Sequence, residues 1–292
     1  MTRGPGAATF PPPTGSIHAG DSFTGIPSAD DPPYPPPTFD TTRPHPARVR
    51  NYLRGGKDHF RVDREHADRI IQAFPDIVDV PRVSARFLNR AVTHLAGEAG
   101  IRQFLDIGPG LAFGYATHQI AQMAAPSSRV VYVDNDPLVL THARALFVSA
   151  PEGAVACLDG DVHDPAAIIT RAAETLDLTA PVGLILTAVL GLIADLDEAR
   201  TILRTLLDSL PPGSCLVLED GVAEPDTEQA RAVQALSEDH GYHYRTSEEI
   251  ISFFDGLDLV EPGVVSPAHW RDSLGDDGPH APFQMCGVGR TS

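Results

Sequence analysis

The chain has little of what several common functions require. It holds only 3 cysteines among 292 residues, Cys157, Cys215 and Cys286, far apart and inside or beside apolar runs. No two of them have zinc-ligand spacing and no disulfide framework is implied, so a reducing cytoplasm is the expected compartment. Basic residues are scarce, 22 Lys and Arg against 39 Asp and Glu, which leaves a formal net charge of −17. Neutralising a phosphate backbone needs a basic face, so nucleic acid is disfavoured as a partner, and anionic lipid with it. Solubility accounts for the charge. Long hydrophobic runs are missing as well. The longest, Val182 to Ala194, has 13 residues, too few to span a bilayer, and the N-terminal MTRGPGAATFPPPTG has no signal-peptide core.

What is present divides the chain into three. Residues 1–45 are rich in proline, glycine, serine and threonine, a composition that buries too little apolar surface to offset its ordering entropy, and disorder is expected there. Residues 46–100 read as an N-terminal helical lid. Val62, His66, Ile70 and Phe74 recur at helical spacing until Pro75, and a second helix runs from about Val80 to Ala99 before Gly100. Between them, Gly55-Gly56 breaks a helix, with Arg54, Lys57, Asp58 and His59 around the break. This is either a capped surface turn or a lid that turns Lys57 or Asp58 toward a ligand.

Residues 101–292 alternate strand and helix. Strands are expected at IRQFLDIG, RVVYVDND, AVACLDGD, PVGLILTAVL and GSCLVLED, with LDLVEPGVV and PFQMCGVGR closing the series. Near-continuous apolar strands separated by helices mean a mostly parallel sheet covered on both faces. Ligands of such sheets bind at the carboxyl ends of the strands.

The first strand runs into a glycine turn, Gly108-Pro109-Gly110. A dinucleotide fold asks for a third glycine three residues after the second, and this chain has Phe113 there. Asp106, two residues before Gly108, would oppose a pyrophosphate and favour an ammonium. Asp134 ends the second strand, placed for ribose hydroxyls, with Asp136 as the cap of the following helix. Asp161 and Val162 follow the third strand, a carboxylate and an apolar neighbour suited to an adenine. Three acids at three successive strand ends suit S-adenosylmethionine.

The series FLDIGPG, VVYVDNDP, DGDVHDP, PVGLILTAVLGLIAD and PPGSCLVLED resembles the motifs of class I S-adenosylmethionine-dependent methyltransferases. More narrowly, ARVRNYLRGGKDHFRVDRE with RFLNRAV and GIRQFLDIGPGL resembles an actinobacterial S-adenosyl methyltransferase family long catalogued as a domain of unknown function, over about Ala47 to Arg290. The resemblance implies a Rossmann-like α/β sheet of seven strands, the last antiparallel. It also implies a cofactor site of Asp106, Gly108, Pro109, Gly110, Asp134, Asn135, Asp161, Val162 and Thr187. Relatives usually read DIGTGLPT at the turn, asparagine at the position of His59, and often histidine at that of Gly191.

The expected activity is methylation of an oxygen or nitrogen atom of a small molecule. Thr187, Glu219 and Asp220 follow the fourth and fifth strands, and Lys57, Asp58 and His59 come from the lid; these are the candidates near the methyl group. The rivals are an NAD-dependent oxidoreductase, for which the chain lacks a Tyr-x-x-x-Lys pair, and a non-catalytic cofactor-binding protein of the same fold. No metal is expected, because magnesium-dependent relatives of the fold want an acid where Thr187 stands. His240 and His243 read as exposed rings at a helix end. The DPPY at Asp31–Tyr34 matches a signature of adenine-N6 DNA methyltransferases. Here it lies in the proline-rich segment with no strand before it, and the acidic charge also speaks against that role.

Overall fold

The computed structural model describes residues 40–111, 114–223, 227–272 and 283–292. The DPPY tetrapeptide and all but the end of the proline-rich segment lie outside these residues. Three helices come first: α1 (Pro46–Leu53), α2 (Arg61–Ala73) and α3 (Val80–Gly97). Proline at the start of α1 has its φ already set for a first turn and lacks an N–H that would go unbonded there. The helix ends before Gly55, at φ +80°, where a side chain would be strained. Gly56 follows because a Cβ there would stand 2.4 Å from Asn51 Oδ1. That oxygen instead accepts a hydrogen bond from the Asp58 backbone N–H at 3.0 Å, so the double glycine makes a turn capped by its own neighbour. α1 and α2 share an apolar cluster of Val49, Ala67, Ile70, Ile77, Val80 and Val233.

Asp63, fully buried in α2, ties α1 in place. Its Oδ1 accepts from the His45 backbone N–H at 2.9 Å and from Arg48 Nε at 3.2 Å, and its Oδ2 from the Phe60 N–H at 2.7 Å.

From β1 (Gln103–Ile107) strands and helices alternate through α4 (Thr117–Ala124), β2 (Arg129–Asp134), α5 (Pro137–Leu146), β3 (Ala154–Asp159), α6 (Pro165–Ala172), β4 (Gly183–Thr187), α7 (Leu196–Asp208) and β5 (Cys215–Gly221). α8 (Glu228–Glu238), α9 (Ser247–Ser252), β6 (Asp258–Leu259) and β7 (Gln284–Arg290) complete the chain. The sheet has seven strands in the order β3-β2-β1-β4-β5-β7-β6. β1 to β5 are parallel and β7 is antiparallel to both neighbours, the architecture the sequence implied. Alternate residues of each strand feed two cores. Leu105, Val131, Val133, Leu184, Leu186 and Leu216 pack on one face, and Phe104, Val130, Tyr132, Ile185 and Val217 on the other with α3 and α4. The strand order reverses between β1 and β4, so a crevice opens at their carboxyl ends.

The final strands differ from expectation. Only Asp258 and Leu259 of LDLVEPGVV pair as a strand, and Val265 rejoins β7 through an isolated bridge to Cys286. Pro262 and Gly263 explain the gap, since proline lacks the ladder N–H and glycine packs no side chain. No helix among the described residues is long and apolar enough to cross a membrane.

Candidate active site

A cavity of about 400 Å³ opens at the carboxyl ends of β1 to β4, between them and α1. The glycine turn forms its floor. Gly108 and Gly110 have φ of +67° and +64°, backbone that other residues adopt only with strain. Gly108 also has no room for a side chain, since a Cβ would stand 2.6 Å from Val189 Cγ2. At Gly110 a Cβ would meet, among the described residues, only Ala47 of α1, at 3.9 Å. The turn is open toward the cavity and overlaid by the helix.

Asp106 lines this cavity from beneath. Its Oδ2 accepts from Thr117 Oγ1 at 2.6 Å, while Oδ1 is buried with no hydrogen-bond partner among the described residues. Burial pushes the carboxyl up to about 7 against the Thr117 hydrogen bond, and the charge of Asp134 adds to the rise. A buried carboxylate oxygen without a donor is costly, and it fits a ligand group that brings N–H donors and positive charge. The residues present therefore fit the ammonium of S-adenosylmethionine.

At the end of β2, Asp134 Oδ2 accepts from the Gly110 N–H at 3.3 Å and Oδ1 from the Asp136 N–H at 2.9 Å. Burial raises its pKa to about 6, with those backbone hydrogen bonds opposing. Asp136 caps α5, accepting from Leu138 N–H at 2.6 Å, the capping role expected of it, and Asp134 lines the cavity. Asn135, Asp161 and Val162 line the same end of the cavity. Asp161 is half exposed, and its Oδ1 is engaged by the His163 backbone N–H and ring at 3.0 and 2.6 Å. Pro109 and Thr187 also line the cavity. After Thr187 comes Ala188 at φ +57°, a strained conformation of the kind that gathers at functional sites.

α1 crosses above these strand ends. His45, before its first turn, places Nδ1 3.1 Å from Asp136 Oδ2 beside β2; Ala47 covers Gly110 after β1; Arg50 Nη2 reaches within 3.6 Å of Glu219 Oε2 on β5. Eight helical residues span about 12 Å, close to the roughly 14 Å across three strand spacings.

Three of the expected lid residues are not in this site. Lys57, Asp58 and His59 do not line the cavity. The capped turn holds Asp58 by its N–H and leaves its carboxylate 3.8 Å from His142 Nε2. His59 hydrogen-bonds the Gly56 carbonyl at 3.1 Å and sets its ring edge-on to Tyr52. Lys57 is exposed. The expectation of an inward Lys57 or Asp58 is thus corrected. Glu219 is fully buried and outside the cavity lining. Its Oε1 accepts from Ser84 Oγ at 2.6 Å. Asp220 is sealed too, by Tyr242, whose hydroxyl donates to Asp220 Oδ1, and by the Gly191 N–H, 2.8 Å from Oδ2. A Cβ on Gly191 would stand 2.6 Å from the Tyr242 ring and 2.8 Å from Asp220 Oδ1.

Other residues line the site without having been singled out for it: Arg50 and Arg54 of the first helix and its end, Tyr242, Tyr244 and Gln284. His240 is half-buried rather than exposed. It lines the cavity with Nδ1 2.8 Å from His66 Nε2, and burial together with the His66 charge takes its pKa down to about 4. Only helical phase on α1 hinted at the arginines, for Ala47, Arg50 and Arg54 share one face. Among the described residues no three His, Cys, Asp or Glu side chains are grouped as metal ligands would be.

Residues 34–292 match the model of the family described as S-adenosyl methyltransferase. No curated protein matches the chain. Among solved structures, a DUF574-family protein from Streptomyces avermitilis is 42% identical, with a TM-score of 0.83 over 87% of this chain and 99% of that one. A protein from Thermobifida fusca, named a methyltransferase on provisional grounds, is 36% identical, with a TM-score of 0.81 over 89% and 100%. With its motifs, sheet order and nearly full-length match in agreement, the chain belongs to the S-adenosyl methyltransferase family.

Proposed function

We propose that this protein transfers the methyl group of S-adenosylmethionine to an oxygen or nitrogen atom of a small molecule. The observation that carries the reading is the unpaired, buried Oδ1 of Asp106 beside two left-handed glycines. A carboxylate there attracts an ammonium and repels a pyrophosphate, which favours the sulfonium cofactor over NAD. In this reading Asp106 and the Gly108-Pro109-Gly110 backbone hold the methionine part, Asp134 and Asn135 the ribose, and Asp161 and Val162 the adenine. Thr187 stands near the methyl group. Bound S-adenosylmethionine supplies a methyl carbon already activated by its sulfonium.

The protein's own part is positioning and exclusion of water. α1 covers the turn, and Ile70, Ile77, Val80 and Leu88 give the lining an apolar wall. The cavity volume falls in the range of small-molecule sites, and the net charge of −17 speaks against nucleic acid or an anionic membrane as partner. His240 is neutral near pH 7 and too weak a base to deprotonate an alcohol outright, so its role would be to orient an acceptor O–H or N–H. Glu219, Lys57, Asp58 and His59 take no part, since none lines the cavity.

Calorimetry tests this with S-adenosylmethionine, S-adenosylhomocysteine, NAD and NADP as ligands. The first two should bind and the nucleotides should not; uptake of NAD in place of the sulfonium compound would overturn the reading. The sealing of Glu219 and Asp220 favours one alternative, a cofactor-binding protein without turnover. Transfer of label from S-adenosylmethionine to any component of a metabolite extract would exclude it.

A further inference from the structure

The charges lining the cavity are sorted by position. Its carboxylates, Asp106, Asp134 and Asp161, belong to the ends of β1, β2 and β3, whereas its two arginines, Arg50 and Arg54, come from the first helix and its end. Arg50 Nη2 lies 3.6 Å from Glu219 Oε2, and that single carboxylate is buried behind both guanidinium groups. The Arg54 side chain makes no hydrogen bond or ion pair among the described residues, and its Nε is buried without a partner. Burial, then the neighbouring Arg50, lowers its pKa to about 9, with Glu219 opposing; the group stays protonated at neutral pH.

Among the described residues, two guanidinium groups against one carboxylate leave one positive charge without a counter-charge. The other described lining groups nearby do not supply one. The imidazoles of His45 and His240 can only be neutral or cationic, burial lowers the pKa of both, and burial pushes the Tyr244 phenol up to about 12. A buried charge is costly unless it is paired, and the planar guanidinium fork matches carboxylate and phosphate oxygens. Leu53, Ile70, Ile77 and Val80 supply apolar lining to the same cavity.

We infer that the methyl acceptor is an apolar molecule bearing an anionic oxygen group, carboxylate or phosphate, and that Arg54, with Arg50 beside it, receives that group at the β5 end of the cavity. The inference rests on the methyltransferase reading above. The cofactor's own carboxylate is the competing occupant. Its methionine part belongs over the β1 turn, two strand spacings or about 10 Å from β5, which favours the acceptor.

The test uses the full chain saturated with S-adenosylhomocysteine, titrated with benzoate, phenyl phosphate and the neutral benzyl alcohol. At least one anion should bind wild type about tenfold or more tightly than the alcohol, the effect expected of a hydrogen bond to a charged group. Arg54→Gln should lose that preference with its S-adenosylhomocysteine affinity unchanged, and Arg54→Lys should retain part of it. The anion with the larger loss identifies the group. A wild type with no preference for either anion, or an Arg54→Gln protein that keeps the preference, overturns the inference. So does an Arg54→Gln protein whose S-adenosylhomocysteine affinity falls in step, because the guanidinium would then serve the cofactor. A wild type that binds no S-adenosylhomocysteine would instead sink the methyltransferase reading itself.

Discussion

The two ends of the cavity are built in different ways. At the β1–β3 end, each carboxylate lies at or just past the carboxyl end of a successive parallel strand, and the backbone of the glycine turn frames the space. At the β5 end, the lining comes from α1, from the segment after α8 and from β7, residues 50, 54, 240, 242, 244 and 284, which only the tertiary fold brings together. The first end is acidic and rigid by construction. The second is basic and depends on a short helix held by a few polar contacts. A ligand pair lying across both would therefore present its cationic portion to the sheet and its anionic portion to the helix.

The most drastic way to break this contrast is to release α1. Asp63→Ala removes the acceptor for His45, Arg48 and Phe60 and leaves Arg48 buried without its carboxylate. A loss of about 3–5 kcal/mol in unfolding free energy is expected, measured by chemical denaturation; a change below about 1 kcal/mol would show that α1 is held by its apolar face. Gly110→Val acts at the other end. The left-handed backbone should cost about 1–3 kcal/mol of stability. With only Ala47 nearby among the described residues, at 3.9 Å, the chain should still fold, yet calorimetry should detect no S-adenosylhomocysteine binding.

Asp106→Asn and Asp134→Ala sharpen the comparison. Each should weaken S-adenosylmethionine binding by about 1–3 kcal/mol while leaving the preference for benzoate or phenyl phosphate untouched. Parallel losses of both activities would mean that the ends are not independent. The smallest effect expected is on thermal stability against pH. Asp106, facing Thr117, Asp134 and Tyr132, has its folded pKa raised to about 7 from 3.8, so the folded state binds the proton more tightly and stability falls as pH rises. Asp134 and Asp220, each raised to about 6 by burial, act in the same sense, while His45, His66, His118 and His240, all with lowered pKa, work in the opposite sense as pH falls through about 6.5. The Asp106 share above about pH 6.5 is therefore read as a difference: the melting temperature of wild type minus that of Asp106→Asn should fall by a few degrees between about pH 6.5 and 8.

The acidic end was legible because strand, turn and helix follow one another within a few residues there. Apolar runs ending in Asp106, Asp134 and Asp161 announce three strand ends without knowledge of the rest of the chain. The basic end was not. Arg50 and Arg54 lie in and just after a helix whose facing residue on β5, Glu219, is 165 or more positions away, and Glu219 itself is closed off by Ser84, 135 residues distant. His59 is ambiguous in sequence for a related reason: the turn that engages it is satisfied locally, by Gly56 and Tyr52, so its polarity carries no message about a ligand. β6 was overlong in expectation because β-branched residues on either side of Pro262-Gly263 masked the break.

The absence of a side chain at position 191 has a consequence for how this sequence can change. The Tyr242 ring fills the space a Gly191 side chain would occupy and is anchored there by Asp220. The two positions therefore cannot vary independently. An imidazole at 191 is sterically excluded until the ring at 242 has been traded for something small, and the reverse replacement meets the same barrier. Their effects should be strongly epistatic, each single exchange harmful and the double exchange tolerated, so that homologues would fall into two groups with a ring at one position or the other and rarely at both.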